Sequence, residues 1–332
     1  MIKDCPHELV ILGETILPGE ERTINFNMAK LYTSSVVEVP VIINRSKEPG
    51  PLVFITGGIH GDEVNGVEVV RQVLVKNIHK PKRGTIMCMP ILNIFGFLNG
   101  EREFPDGRDL NRMFPGTAAG SLASRFAHKL VTQMLGDVSL CLDFHTGGAQ
   151  RFNAAQIRVD PSDTDSLTLA RKFGAPFTIY SKVIKKSYRG TAAVRGIPYL
   201  LFEGGKSLNS DKEITLQGLS GVCHVLDHLG MLHPQDRDCM RDQPTILVEK
   251  TRWMRASYSG LFHPKVPIGR WVDRNEYIAT ITDPFGKFRH KVRSKNAGWL
   301  ICINESPLVH QGDAIFHIST QTSEPSEAED SE

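Results

Sequence analysis

Residues 57–66 read GGIHGDEVNG, with a histidine and a glutamate three positions apart in a glycine-rich bend. Turning calls for glycine or asparagine, and nothing about a turn requires His60 or Glu63. The preceding run LVFIT (52–56) reads as a short buried strand. After it, Val67, Val70, Val73 and Leu74 keep helical spacing. The pair therefore sits at a strand-to-helix junction, where residues i and i+3 of a first turn face the same way. One metal ion could take both side chains. H-x-x-E alone also occurs often by chance, and an ordinary surface or core pair is the plainer reading of it in isolation.

Two further residues change the weighting. VSLCLDF (138–144) and IPYLLF (197–202) read as buried strands, followed by His145 and Glu203. In open α/β sheets, ligand sites gather at the carboxyl ends of strands, so His60, His145 and Glu203 can converge. Two imidazoles with Glu63 make the ligand set of catalytic zinc sites that leave a fourth position to water. Such an ion lowers the pKa of that water to roughly 7, and a neighbouring carboxylate then takes its proton. Glu203, followed by two glycines, is the candidate base; the bland account makes it a strand-end residue capped by a turn.

EREFPDGRDLNRMFPG (101–116) is the second informative stretch. A charge-rich segment is usually a solvated loop. The sharper reading is that Arg102, Arg108 or Arg112 points into the site, to clamp a carboxylate or stabilise an oxyanion. Asp109 would accept the free N–H of a ligand histidine. The bend lacks both G-x-x-x-x-G-K-[ST] and G-x-G-x-x-G, which argues against a nucleotide.

The elements that would position these residues alternate. TIMCMPIL (85–92) reads as another strand. SLASRFAHKLVTQML reads as a helix with Leu122, Phe126, Leu130 and Met134 on one face and Ser121 as N-cap. A further helix is predicted near 219–232. Strand–helix alternation implies an α/β fold, a mostly parallel (mixed) sheet with helices on both faces. After about residue 244 come ILVEK, YIATI, HKVRS, WLICI and AIFHI, separated by turn residues, the pattern of a small all-β domain. The predicted organisation is a β-rich N-terminal segment (1–45) packing on a catalytic domain (46–244), then a β-rich C-terminal domain (245–320). An acidic tail (321–332) is expected to be disordered.

The chain has 332 residues and is 40% hydrophobic, enough for a sizeable core. Lys plus Arg (39) nearly balance Asp plus Glu (37), which argues against nucleic acid or an anionic membrane as the main partner. No apolar run approaches the roughly 20 residues of a membrane span. MIKDCPHELV lacks the features of a secretory signal, so a soluble, cytoplasmic protein is expected. The six cysteines form no C-x-x-C pair and are expected to be reduced thiols, with Cys88 and Cys141 in the core. The oligomeric state stays open, a homo-oligomer included.

Taken together and in order, GGIHGDEVNG, DLNRMFPG, DFHTGG and FEGG resemble the succinylglutamate desuccinylase/aspartoacylase family. Its members are zinc deacylases on a carboxypeptidase A-like fold. The resemblance spans roughly residues 50–205, and a β-rich C-terminal domain is also expected of the family. It implies His60, Glu63 and His145 as ligands of one zinc ion and Glu203 as the residue that activates the metal-bound water. It further implies Asn111 and Arg112 as contacts of the substrate carboxylate and Asp109 as the residue that orients His60. An arginine belongs beside the scissile carbonyl, for which Arg102 is preferred to Arg108. Tyr188 and Arg189 are candidates for further substrate contacts. The implied substrate is a small N-acyl amino acid. Rivals sharing the ligands are a metallocarboxypeptidase acting on peptides and a non-catalytic metal-binding relative.

Overall fold

The computed structural model describes residues 2–30 and 33–323. Residues 324–332, most of the segment expected to be a disordered tail, lie outside the described residues. Residues 321–323 end a strand rather than begin a tail.

The chain opens with β1 (Leu9–Ile11), β2 (Glu14–Ile16), β3 (Glu21–Lys30), β4 (Val36–Arg45) and β5 (Leu52–Gly57). Then come α1 (Val64–Val75), β6 (Thr85–Met89), α2 (Ile94–Asn99), a 3-10 turn at Leu110–Arg112, and α3 (Leu122–Met134). The middle holds β7 (Leu140–Gly147), β8 (Arg151–Val159), α4 (Thr164–Phe173), β9 (Phe177–Tyr180), α5 (Tyr188–Val194), β10 (Tyr199–Lys206) and α6 (Lys212–His228). The last part is β: β11 (Ile246–Arg255), β12 (Gly260–Pro264), β13 (Trp271–Val272), β14 (Tyr277–Thr282), β15 (Arg289–Arg293), β16 (Gly298–Asn304), β17 (Leu308–Val309) and β18 (Ala314–Ser323).

Strand pairing gives the expected mixed sheet but corrects the expectation that it is mostly parallel. One 12-stranded sheet runs β13-β16-β18-β11-β9-β8-β10-β7-β5-β6-β4-β3. Parallel pairing is confined to β6-β5-β7-β10 and β8-β9-β11; every other pair is antiparallel. The N-terminal strands cover β6 and the C-terminal strands continue beyond β9, and neither set needs a crossover helix to pair. β16 also pairs with β8, so β8, β9, β11, β18 and β16 close into a ring. A separate sheet, β15-β14-β12-β17, packs through Phe262, Ile278 and Ile281 against Phe316 and Ile318 of β18.

Helices lie on both faces of the parallel core because successive strand residues alternate sides. Phe54, Met87 and Cys141 meet Ala123, Phe126, Leu130 and Met134 of α3, whereas Val53, Ile55, Cys88 and Leu142 meet α1, α4 and α6. Ser121 caps α3 by accepting from the Ser124 N–H at 3.4 Å. Such a cap contributes about 1 kcal/mol. α6 begins at Lys212, seven residues before the predicted start, with the Asp211 side chain accepting from the Ile214 N–H at 3.0 Å.

The reduced-thiol expectation holds for Cys5, Cys88, Cys141 and Cys302 but not for the other two, since Cys223 and Cys239 form a disulfide. The 3-10 turn at Pro234–Cys239 folds back on α6 and brings their Cα atoms to 6.4 Å. That separation is within the span a disulfide takes, and a spacing of 16 residues gave no sign of it.

Among the described residues, no helix is long and apolar enough to cross a membrane.

Candidate active site

β5, β7 and β10 are parallel neighbours, so their carboxyl ends lie at the same edge of the sheet. His60 follows β5 in the bend, and Glu63 stands at the N-terminus of α1. β7 and β10 run on past their predicted ends. His145 and Glu203 lie inside them and are direct cross-strand partners.

Close backbone approach is what two of the glycines in the bend provide. A Cβ on Gly66 would lie 2.2 Å from the Phe144 carbonyl oxygen, and one on Gly61 would lie 1.9 Å from the Gly96 carbonyl carbon. Their bareness lets α1 seat on β7 and the bend seat on α2, so Glu63 reaches His145. The room they leave is filled by backbone.

His60, Glu63 and His145 are all buried, and one donor atom from each lies within 4.8 Å of the others. The Glu63 carboxylate is wedged between the imidazoles: Oε1 is 2.8 Å from His60 Nδ1, and Oε2 is 2.9 Å from His145 Nδ1. Each far nitrogen meets another carboxylate. His60 Nε2 lies 3.1 Å from Asp109 Oδ1, and His145 Nε2 lies 2.7 Å from Asp143 Oδ2. Asp143 is held in turn by the Thr56 hydroxyl, which donates to Oδ1 at 2.6 Å, and by the Tyr199 hydroxyl.

Charge follows from this packing. Burial alone would raise the Glu63 pKa, but the two imidazoles outweigh it and hold the carboxyl well below the usual range. Burial likewise opposes a charge on His145 and His60. Asp143 and Glu63 outweigh it for His145, as do Glu63 and Asp109 for His60, and both rings are pushed above the ordinary histidine range. Three carboxylates around two imidazoles create a strong preference for positive charge at the point where the Nδ1 atoms and Glu63 meet. The donor set and the carboxylate behind each ring fit a divalent ion of the zinc type.

Arg102 donates to Asp109 Oδ2 at 2.8 Å and to Glu63 Oε1 at 3.3 Å, so it stands at the cluster. Arg108 does not: it is half exposed and pairs with Asp106 at 3.3 Å. Asn111 accepts the Tyr188 N–H on Oδ1 at 2.8 Å, which leaves its NH2 group for a ligand. Arg112 donates to the Asn111 carbonyl at 2.9 Å. Asn111, Arg112 and Arg102 line a cavity of about 420 Å³ with His60, Glu63, His145 and Glu203.

Tyr188 and Arg189, candidates for substrate contact, are buried elsewhere. Tyr188 stacks on Phe114, and Arg189 donates to the carbonyls of Arg158, Ser181 and Lys182. The reading from sequence missed Asp143, although it stands two residues before His145 on a strand and so shares its face. It also missed the cavity wall built by Asn153 and Arg158 of β8, Trp253 of β11 and Cys302 of β16. Long-range pairing creates that wall, and no local pattern announces it.

An α/β sheet edge with a buried two-histidine, one-carboxylate cluster over a polar cavity defines a class of protein with a metal-capable site. The model for the Succinylglutamate desuccinylase/Aspartoacylase catalytic domain matches residues 49–229, over half of the chain. The chain belongs to the succinylglutamate desuccinylase/aspartoacylase family, whose members imply hydrolase activity on amides. It is 27% identical over 296 residues to the N-alpha-acetyl-L-2,4-diaminobutyric acid deacetylase of Halomonas elongata, covering 85% of this chain and 86% of that one. Its fold is similar to that of the ectoine utilization protein EutE (DoeB) from Ruegeria pomeroyi in its product-bound structure. That match has a TM-score of 0.78 and 21% identity, covering 91% of this chain and 95% of the other. A succinylglutamate desuccinylase/aspartoacylase from Rhodobacter sphaeroides matches with a TM-score of 0.76 and 23% identity, covering 92% of this chain and 95% of that one.

Proposed function

We propose that the chain is a zinc-dependent deacylase, built on a carboxypeptidase-like catalytic fold, that hydrolyses the amide of an N-acyl amino acid. The observation that supports this is the convergence of His60, Glu63 and His145, each ring backed by a carboxylate, in one cavity with Glu203. These three residues would hold the ion, which when bound supplies Lewis-acid activation of water and of the acyl carbonyl.

Glu203 takes a proton from the attacking water and returns it to the leaving nitrogen. Arg102, pinned by Asp109 and Glu63, presents a guanidinium that does not have to reorganise as the oxyanion develops. The Asn111 NH2 group and Arg112 grip the α-carboxylate, where a guanidinium's paired donors suit a planar anion. A cavity of about 420 Å³ accommodates a small substrate. The Halomonas relative, named for an N-acetylated amino acid, supports the same substrate class.

The test is amine release from a panel of N-acetyl and N-succinyl amino acids and C-terminally free dipeptides, by zinc-supplemented protein. Deacylation of the N-acyl amino acids is expected, with about one zinc per chain. Glu203→Gln is expected to lose at least roughly 10²–10⁴-fold in kcat/KM while keeping its metal. Full activity in that variant, or hydrolysis of dipeptides alone, would refute the assignment.

A further inference from the structure

Glu203 is gripped on one oxygen. Asn153 donates from Nδ2 to Glu203 Oε2 at 3.0 Å, and Arg158 Nε lies 3.0 Å from the same Oε2, an ion pair whose N–H is not aligned for a hydrogen bond. Among the described residues, Oε1 has no hydrogen-bond or ion-pair partner. Both gripping residues belong to β8, which runs antiparallel to β10. Strict alternation would send positions 153 and 158 to opposite faces of that strand. The register between β10 and β8 slips between Glu203 and Gly205, and this irregularity lets Asn153 and Arg158 reach one carboxylate from either side of Gln156.

The C-terminal strands fix this grip. Asn153 is the cross-strand partner of Gly205 on β10 and also of Cys302 on β16, where the ring of strands closes. At the other end, the Arg158 carbonyl accepts from buried Arg189, whose second nitrogen ties down the carbonyls of Ser181 and Lys182. β8 is thus anchored at both ends of the segment that faces Glu203.

We propose that Asn153 and Arg158 are positioning residues for the base, and that the C-terminal β strands support catalysis through them. The inference rests on Glu203 being that base. A carboxylate with one oxygen held by a hydrogen bond and an ion pair presents the other in a preferred orientation, which spares it the search through side-chain rotamers before each proton transfer. Small misplacements of a reacting group cost on the order of 10²-fold. Such a grip therefore acts on kcat and leaves ground-state binding alone.

The test is a kinetic comparison of Arg158→Gln, Asn153→Ala and Glu203→Gln, and of the Arg158→Gln/Glu203→Gln double variant, on the best substrate of the N-acyl amino acid panel. Metal content and melting temperature are measured on each. Arg158→Gln is expected to lower kcat by roughly 10- to 100-fold, with KM, bound metal and melting temperature near those of the parent. Asn153→Ala should lower kcat in the same way, so the inference does not hang on one variant folding. The double variant should be no slower than Glu203→Gln, because Arg158 acts only through that side chain. In a fifth variant, Arg158→Ala, added methylguanidinium should restore part of the activity. A raised KM at unchanged kcat would make Arg158 a substrate contact and overturn the proposal. Loss that adds fully to that of Glu203→Gln, or that follows melting temperature, would also overturn it. Full activity in Glu203→Gln would instead sink the base itself, a result that Arg158→Gln cannot mimic.

Discussion

Glu63 shows how much chemistry one buried carboxylate can organise. It touches His60, His145 and Arg102, and it accepts the Thr146 N–H at 3.3 Å on Oε2. Behind the rings, Asp109 and Asp143 decide which nitrogen faces inward. Asp109 was legible in advance because it stands in a recognisable charged motif. Asp143 was legible in principle, since a strand residue two positions from a ligand lies on the ligand's face, but a hydrophobic run distracts from a single acid inside it. Asp143→Asn keeps the shape and removes the charge behind His145. It is expected to weaken zinc binding by about 10- to 100-fold, measured by competition with a chromogenic chelator. Unchanged affinity would show that the negative charge behind His145 does not contribute to holding the ion.

At the scale of elements, sequence periodicity found β5, α1, α3 and β7 because each buries one face against a neighbour close in the chain. It left β8, β9, α4 and α5 unread. Their identity depends on which strand they lie beside: β10 inserts between β7 and β8, so those two consecutive strands are not partners. The α1–β7 contact is a close junction beside the site, and its tolerance can be measured. Gly66→Ala drives a methyl into the Phe144 carbonyl, one residue before His145. The expected cost is about 1–3 kcal/mol in denaturant unfolding, the range for overpacking, together with weakened zinc binding as Glu63 moves. A variant as stable and as metal-competent as the parent would mean that α1 shifts freely, and the account of the bend would fail.

For the whole molecule, the ring through β8, β9, β11, β18 and β16 brings a histidine close to the catalytic wall. His317 on β18 stacks on Trp253 with ring centroids 4.3 Å apart, and Trp253 lines the site cavity. Burial, with Arg158 adding to it, pushes the His317 pKa down to about 3. An unfolded chain takes up this proton below about 6.5, whereas the folded chain refuses it until much lower pH. Stability is therefore complete above that value and is lost as pH falls towards about 3, at up to about 1.4 kcal/mol per pH unit. His317→Phe keeps a ring against Trp253 and removes the proton site. Its stability relative to the parent should improve between about pH 7 and about pH 5 in denaturant titrations, and an equal difference at both would count against the mechanism.

The closed ring bears on where this protein can be cut. The stretch that matches the family's catalytic domain, residues 49–229, begins after β4 and stops before β11. Expressed alone, it would bare the outer side of β6, leave β9 paired with β8 alone and strip β16 from beside Asn153. Two open sheet edges invite pairing between molecules. The segment that carries the family signature is therefore smaller than the unit that can stand by itself in water, and a truncation drawn at those boundaries should yield aggregates rather than a minimal enzyme.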